Sequence, residues 1–137
     1  MPDETAIWAA VGGDQPFFRL VDAFYVQVEA TPSLRELYPP DLGPGKNHLA
    51  WFLIQRFGGP EYFNQRRGAP RLRMRHATFG ITQVMRDAWL TAMMAALDDT
   101  PVFAAYRELM LEYFEHSATF LINREEPDDT RVRLNTV

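Results

Sequence analysis

The stretch Pro70-Arg71-Leu72-Arg73-Met74-Arg75-His76-Ala77-Thr78-Phe79 sets one histidine among arginines, with leucine and phenylalanine at helical spacing around it. On a short helix Leu72, His76 and Phe79 share one face, as i, i+4 and i+7 do, so the imidazole points into apolar space. A neutral imidazole in such a place is a good ligand for iron. Arg71, Arg73 and Arg75 fall outside that stripe and can pair with anionic groups at its rim. A haem requires this combination: a greasy macrocycle, an axial nitrogen and two carboxylates to neutralise. The same residues also fit a hydrogen-bonded core histidine beside a solvated basic loop, the commoner fate of an isolated histidine on an apolar face.

The elements that must position this histidine come from a chain of 137 residues, enough for one domain with a single sizeable core. Hydrophobic residues make up 47% and aromatics 13%, so the interior is rich in rings and suited to a flat apolar ligand. A formal net charge of -4 opposes the approach of phosphate, and no nucleic acid partner is expected. Cysteine is absent, which excludes disulfides, thiolate-bound metal clusters, a cysteine nucleophile and covalent haem attachment. Any haem is therefore held noncovalently. The segment Met1-Pro2-Asp3-Glu4 lacks the basic and apolar regions of a secretory signal, and no apolar run reaches the ~20 residues of a membrane span. A soluble, cytoplasmic protein without a membrane partner is the expectation.

Helix punctuation recurs along the chain, and strand signals are nearly missing. Gly12-Gly13 breaks a short first segment. Asp14 and Pro16 then make a helix start, with Phe17, Leu20, Val21, Phe24 and Val28 forming one stripe to about Ala30. Thr31-Pro32-Ser33 restarts a short turn carrying Leu34, Leu37 and Tyr38, ended by Pro39-Pro40. Gly43-Pro44-Gly45 leads into a helix whose inward stripe is Leu49, Phe52, Leu53 and Phe57, stopped by Gly58-Gly59. Residues 60–71 read as a loop with one turn around Glu61-Tyr62-Phe63. A long helix is predicted from about Thr82 to Leu97, with Met85, Trp89, Met93 and Ala96 on one stripe. Thr100-Pro101 reads as the N-cap and first-turn proline of the next helix, which carries Phe103, Tyr106, Met110, Tyr113, Phe114, Ser117 and Leu121. Asn123 is its expected stop, and the charged segment 124–137 reads as a flexible C-terminal tail. Four substantial helices make an all-α domain over residues 1–123.

Several short pieces occur in a telling order: Val11-Gly12-Gly13, Phe24-Tyr25, Leu37-Tyr38-Pro39, Gly58-Gly59-Pro60, the run Arg71 to Phe79, and Arg86-Asp87-Ala88-Trp89-Leu90. Together they cover roughly residues 6 to 122, and the set resembles the group II branch of the truncated haemoglobins. The resemblance implies a globin-like two-over-two helical sandwich with a very short proximal helix. It implies a noncovalent haem b, with His76 as the proximal iron ligand and Tyr25, Tyr38 and Trp89 lining the distal face. Gly45 falls near the position where ordinary globins carry a distal histidine. Leu49, Phe52 and Met93 are expected to pack on the macrocycle, and Phe79 to support His76. His48, Arg73 and Arg75 are the expected partners of the propionates. Phe63 stands where some relatives have a tyrosine that reaches a propionate, a bond that phenylalanine cannot make.

A diatomic ligand such as dioxygen gathers negative charge on its outer atom when it binds ferrous haem, and donors aimed there stabilise it. Trp89 can only donate, whereas the hydroxyls of Tyr25 and Tyr38 donate or accept. Each bond in a dry pocket contributes on the order of 1 to 2 kcal/mol, so two of them slow escape by roughly ten- to a thousandfold. Slow release suits a protein that turns held oxygen on a second small molecule, in nitric oxide dioxygenation or peroxidase-like chemistry, with a reductant as partner. Aromatics on amphipathic stripes also serve as plain core filling. His116, among polar residues, is expected at the surface, and Trp51 offers a face for self-association. The competing function is a haem-free helical module binding an acidic partner through residues 66–75.

Overall fold

The computed structural model describes residues 3–76 and 80–125, and those residues form helices and turns only. After a single 3-10 turn (Glu4–Ala6), α1 (Ile7–Ala10) buries Ile7. The first long helix, α2 (Gln15–Ala30), buries Phe17, Leu20, Val21, Phe24 and Val28 along the predicted stripe. Its start differs in mechanism from the expectation. Asp14 makes no cap bond; its carboxylate accepts from the Trp8 indole at 2.8 Å and from the Tyr62 hydroxyl at 2.9 Å. A charged acceptor gains more from two fixed donors of distant elements than from its own helix end.

The short α3 (Pro32–Arg35) buries Leu34, and Arg35 donates to the carbonyls of Tyr38, Pro39 and Pro40, which holds the turn that carries Tyr38. Next comes α4 (Gly43–Arg56), with Gly58 closing the turn after it at φ +100°. A side chain at Gly58 would run into the Thr5 carbonyl, so glycine is required there on both counts. Residues 60–71 hold more structure than a loop with one turn: α5 (Tyr62–Arg67) is a helix of six residues. Its support comes from α4, where Gln55 accepts from the Asn64 backbone at 3.0 Å and donates to the Asn64 side chain at 2.9 Å. Tertiary bonds of this kind leave no local periodic signal.

A single turn, α6 (Leu72–Arg75), precedes α7 (Gln83–Asp98), whose N-cap Thr82 accepts from Met85. Thr100 was expected to cap the following helix. Instead its hydroxyl turns back to the Ala96 carbonyl at 2.9 Å, satisfying the open end of α7, and Pro101–Tyr106 winds as 3-10 before α8 (Arg107–Phe120). Phe103, Met110 and Phe114 face the core as predicted. The main packing is α2 against α4 and α7, and α7 against α8, which places two helix pairs face to face. No helix among the described residues is long and apolar enough to cross a membrane. The expected tail lies outside the described residues from residue 126 onward, and Arg124 still donates its backbone N–H to the Ile81 carbonyl.

Candidate functional site

α4 carries two apolar stripes. Ala50, Leu53, Ile54 and Phe57 are buried in the protein core, while Gly45, His48, Leu49 and Phe52, at i, i+3, i+4 and i+7, are only half-buried. The predicted inward stripe is therefore split: Leu53 and Phe57 belong to the core, Leu49 and Phe52 to the second face. Full burial of a leucine or phenylalanine is worth about 1.5–3 kcal/mol, so the exposure left at each position forgoes up to about a third of that. A flat apolar partner would recover it.

At the N-terminal end of this second stripe, three polar aromatics meet in an otherwise apolar setting. Tyr25 is buried, and its ring packs edge-on against Tyr38 at 5.6 Å and Phe24 at 5.4 Å; Phe24 in turn lies 5.2 Å from Trp89. The Trp89 indole faces the Tyr38 hydroxyl closely enough to oppose the rise of its pKa. A Cβ at Gly45 would stand 2.8 Å from the Tyr25 hydroxyl oxygen, so this glycine keeps the space beside that hydroxyl open. Burial pushes the Tyr25 hydroxyl up from 10.0 to about 12. Tyr38 is pushed higher still, first by burial and then by its neighbour Tyr25, with the Trp89 indole opposing. Both phenols hold their protons wherever the protein would work.

A pH dependence follows. An unfolded tyrosine ionises near 10.0, and Tyr25 in the fold only near 12, so its share of stability is intact below pH 10.0 and is lost as pH rises toward 12. In denaturant titrations across that window, Tyr25→Phe is expected to flatten the decline seen in the wild type. An equal decline in both proteins would refute the burial of the hydroxyl.

The C-terminal end of the stripe is basic. Phe52 packs edge-on against the buried Phe63 of α5 at 5.8 Å, and the guanidinium groups of Arg67 and Arg75 lie over Phe63 at 5.7 and 5.3 Å. Arg67 approaches His48 Nδ1 at 2.6 Å, and since a guanidinium only donates, that nitrogen accepts. Burial, then Arg67 and Arg75, hold His48 below the usual histidine value. His48 and Arg75 are thus brought together around Phe63, whereas Arg73 lies over Phe120 of α8 at 5.3 Å. Arg75 also donates to the carbonyls of Pro70 and Arg67 at 2.7 Å and Ala69 at 3.1 Å, which fastens the loop before α6. Arg67 is the residue that sequence reasoning missed; only the approach of α5 to α4 puts it beside His48. Arg66 covers one face of Trp51 at 4.7 Å.

Arg71 enters α6 at φ +41°, the one non-glycine with positive φ among the described residues. Such a backbone costs about 1 kcal/mol, offset here by the carbonyl bonds of Arg75. The half-buried His76 closes the turn, its Nδ1 2.6 Å from the Leu72 carbonyl. A carbonyl only accepts, so Nδ1 carries a proton, and Nε2 is the ring atom that can ligate a metal. Metal-binding histidines are oriented in this way. Leu72 is half-buried beside it, and Phe79 lies outside the described residues. Met93 is fully buried in α7 and His116 is exposed on α8. The donor set fits a haem: an oriented imidazole, half-covered Leu49 and Phe52, a glycine cradle, and cations at one edge.

Residues 6–123 match the family described as bacterial-like globin. The chain is similar to the group 2 truncated hemoglobin YjbI of Bacillus subtilis (strain 168), at 35% identity over 117 residues, 85% of this chain and 89% of that protein. Among solved structures it is similar to the hemoglobin of the thermophilic phototrophic bacterium Chloroflexus aurantiacus, with a TM-score of 0.83 and 52% identity over 86% of this chain and 98% of that one. It is also similar to the truncated oxygen-avid haemoglobin from Bacillus subtilis, with a TM-score of 0.81 and 34% identity over 85% of this chain and 98% of that one.

Proposed function

The chain belongs to the bacterial-like globin family, among its group 2 truncated haemoglobins, and from that premise we propose that it holds haem b noncovalently and binds dioxygen and other diatomic ligands tightly. The observation that carries this is the second apolar stripe of α4, half-buried from Gly45 to Phe52 and bounded by polar aromatics at one end and cations at the other. When bound, the haem supplies a ferrous iron that takes a diatomic ligand.

His76 would hold the iron through Nε2, its ring fixed by the Leu72 carbonyl. Leu49, Phe52 and Met93 would pack on the macrocycle and exclude water. His48, Arg67 and Arg75 would neutralise the propionates, and Arg73 stands further out against Phe120. Trp89 and the two protonated phenols are the donors that would stabilise negative charge on a bound diatomic ligand, and Gly45 would leave room for its entry. Tight binding agrees with the oxygen-avid character of the Bacillus subtilis relative. It favours conversion of nitric oxide to nitrate, sustained by an external reductant, over oxygen carriage. Phenols and an indole provide no strong acid or base, so peroxidase-like turnover is the weaker activity. We place the protein in the cytoplasm, with residues 1–123 as the working domain.

Titration of the purified protein with haem is expected to end at one equivalent, with an intense Soret band. A featureless titration, together with binding to polyanions that weakens steeply with salt, would instead favour a helical module acting through residues 66–75.

A further inference from the structure

Asn123 lies three residues beyond the end of α8, yet it touches both ends of the segment that follows His76. Its Nδ2 donates to the His76 carbonyl at 3.3 Å, and its Oδ1 accepts from the Ile81 N–H at 2.7 Å. The backbone N–H groups of Asn123 and Arg124 both donate to the Ile81 carbonyl, at 2.9 and 3.1 Å. The Arg124 guanidinium fills the space beside Gly80 where a side chain would otherwise stand.

This clamp matters because α6 is a single turn, and one turn of helix does not hold itself in water. The direction of the His76 ring therefore depends on more than the backbone bonds of α6. The Leu72 carbonyl fixes the ring rotation, the Arg75 bonds fix the loop before it, and Asn123 fixes the backbone after it. One amide ties the histidine to the segment leading into α7, and α7 also carries Trp89.

We propose that Asn123 is a positioning residue for His76: by bridging His76 and Ile81 it sets the geometry of the bond between imidazole and iron and slows the loss of haem. The proposal rests on His76 being the axial ligand.

The test uses the haem-loaded protein and three readouts: the iron–imidazole stretching frequency of the ferrous form by resonance Raman, the rate of haem transfer to excess apomyoglobin, and the thermal unfolding temperature. Asn123→Asp keeps the oxygen that accepts from Ile81 and removes the donor to His76. It is expected to shift the frequency and to speed haem loss about two- to tenfold, as loss of one hydrogen bond does. Asn123→Ala should move both readouts further, and Asn123→Asp carries the test if that variant does not fold. In His76→Gly reconstituted with free imidazole the ligand is no longer tied to the chain, so Asn123→Asp should leave the frequency unchanged. An Asn123→Asp protein that unfolds earlier but keeps the wild-type frequency and haem-loss rate overturns the proposal, as does an equal shift in the imidazole-rescued background. Persistence of the wild-type stretching band in His76→Gly without imidazole overturns instead the assignment of His76.

Discussion

Replacing His76 with glycine is expected to weaken haem binding by at least about a hundredfold, because changes to groups that merely orient a metal's histidine already cost about ten- to a hundredfold. Haem titration followed by the Soret band measures this directly, and added imidazole should restore a five-coordinate ferrous spectrum. The chain has three histidines and no cysteine, so only two other imidazoles and no thiolate compete. His48 Nδ1 already accepts from Arg67, and His116 is exposed on α8. His48→Gln and His116→Gln should therefore keep the axial signature that His76→Gly loses. If His48→Gln lost it and His76→Gly did not, the roles of α4 and α6 would have to be exchanged.

On the distal side, Trp89→Phe is expected to speed oxygen dissociation by about 5- to 30-fold, the loss of a bond worth about 1 to 2 kcal/mol. Phenylalanine keeps much of the packing against Phe24 and Phe114 and removes only the donor, which isolates the hydrogen bond. The indole and the Tyr38 hydroxyl influence one another, since Trp89 opposes the rise of the Tyr38 pKa. Tyr38→Phe removes one hydroxyl that can accept from the indole as well as donate to a ligand, so its own effect should be smaller. The double variant should then depart from the sum of the two, as residues in one network do. Stopped-flow measurements on the four proteins decide this; an unchanged rate in Trp89→Phe would remove the indole as the anchor.

Long amphipathic patterns carried much of this structure. The stripe of α2 read directly because 3.6-residue periodicity records a face that must be buried, whatever it is buried against. In α7 Met93 and Ala96 are buried as expected, but Met85 and Trp89 are only half-buried, and Leu90, Ala92 and Leu97 complete the core face. Residues defined by partners far along the chain were a different matter. Asp14 and Thr100 have the composition of helix caps, and both serve distant or preceding groups instead. The helix over Tyr62–Arg67 was hidden because its bracing comes from Gln55 on α4. Tyr25, Tyr38, Gly45 and Trp89 were picked by motif order, and folding brings them within one cluster from three helices and a turn.

By itself the sequence determined the long helices, the lack of any cysteine that could tether a haem, and the family, since these follow from local periodicity, residue inventory and short motifs in order. Tertiary structure alone decided which stripe of α4 stays half-covered, that Arg67 pairs with His48, and that Asn123 reaches back to His76. Those are pairings between segments up to 47 residues apart, and a hydrogen bond leaves no periodic trace in either segment that makes it.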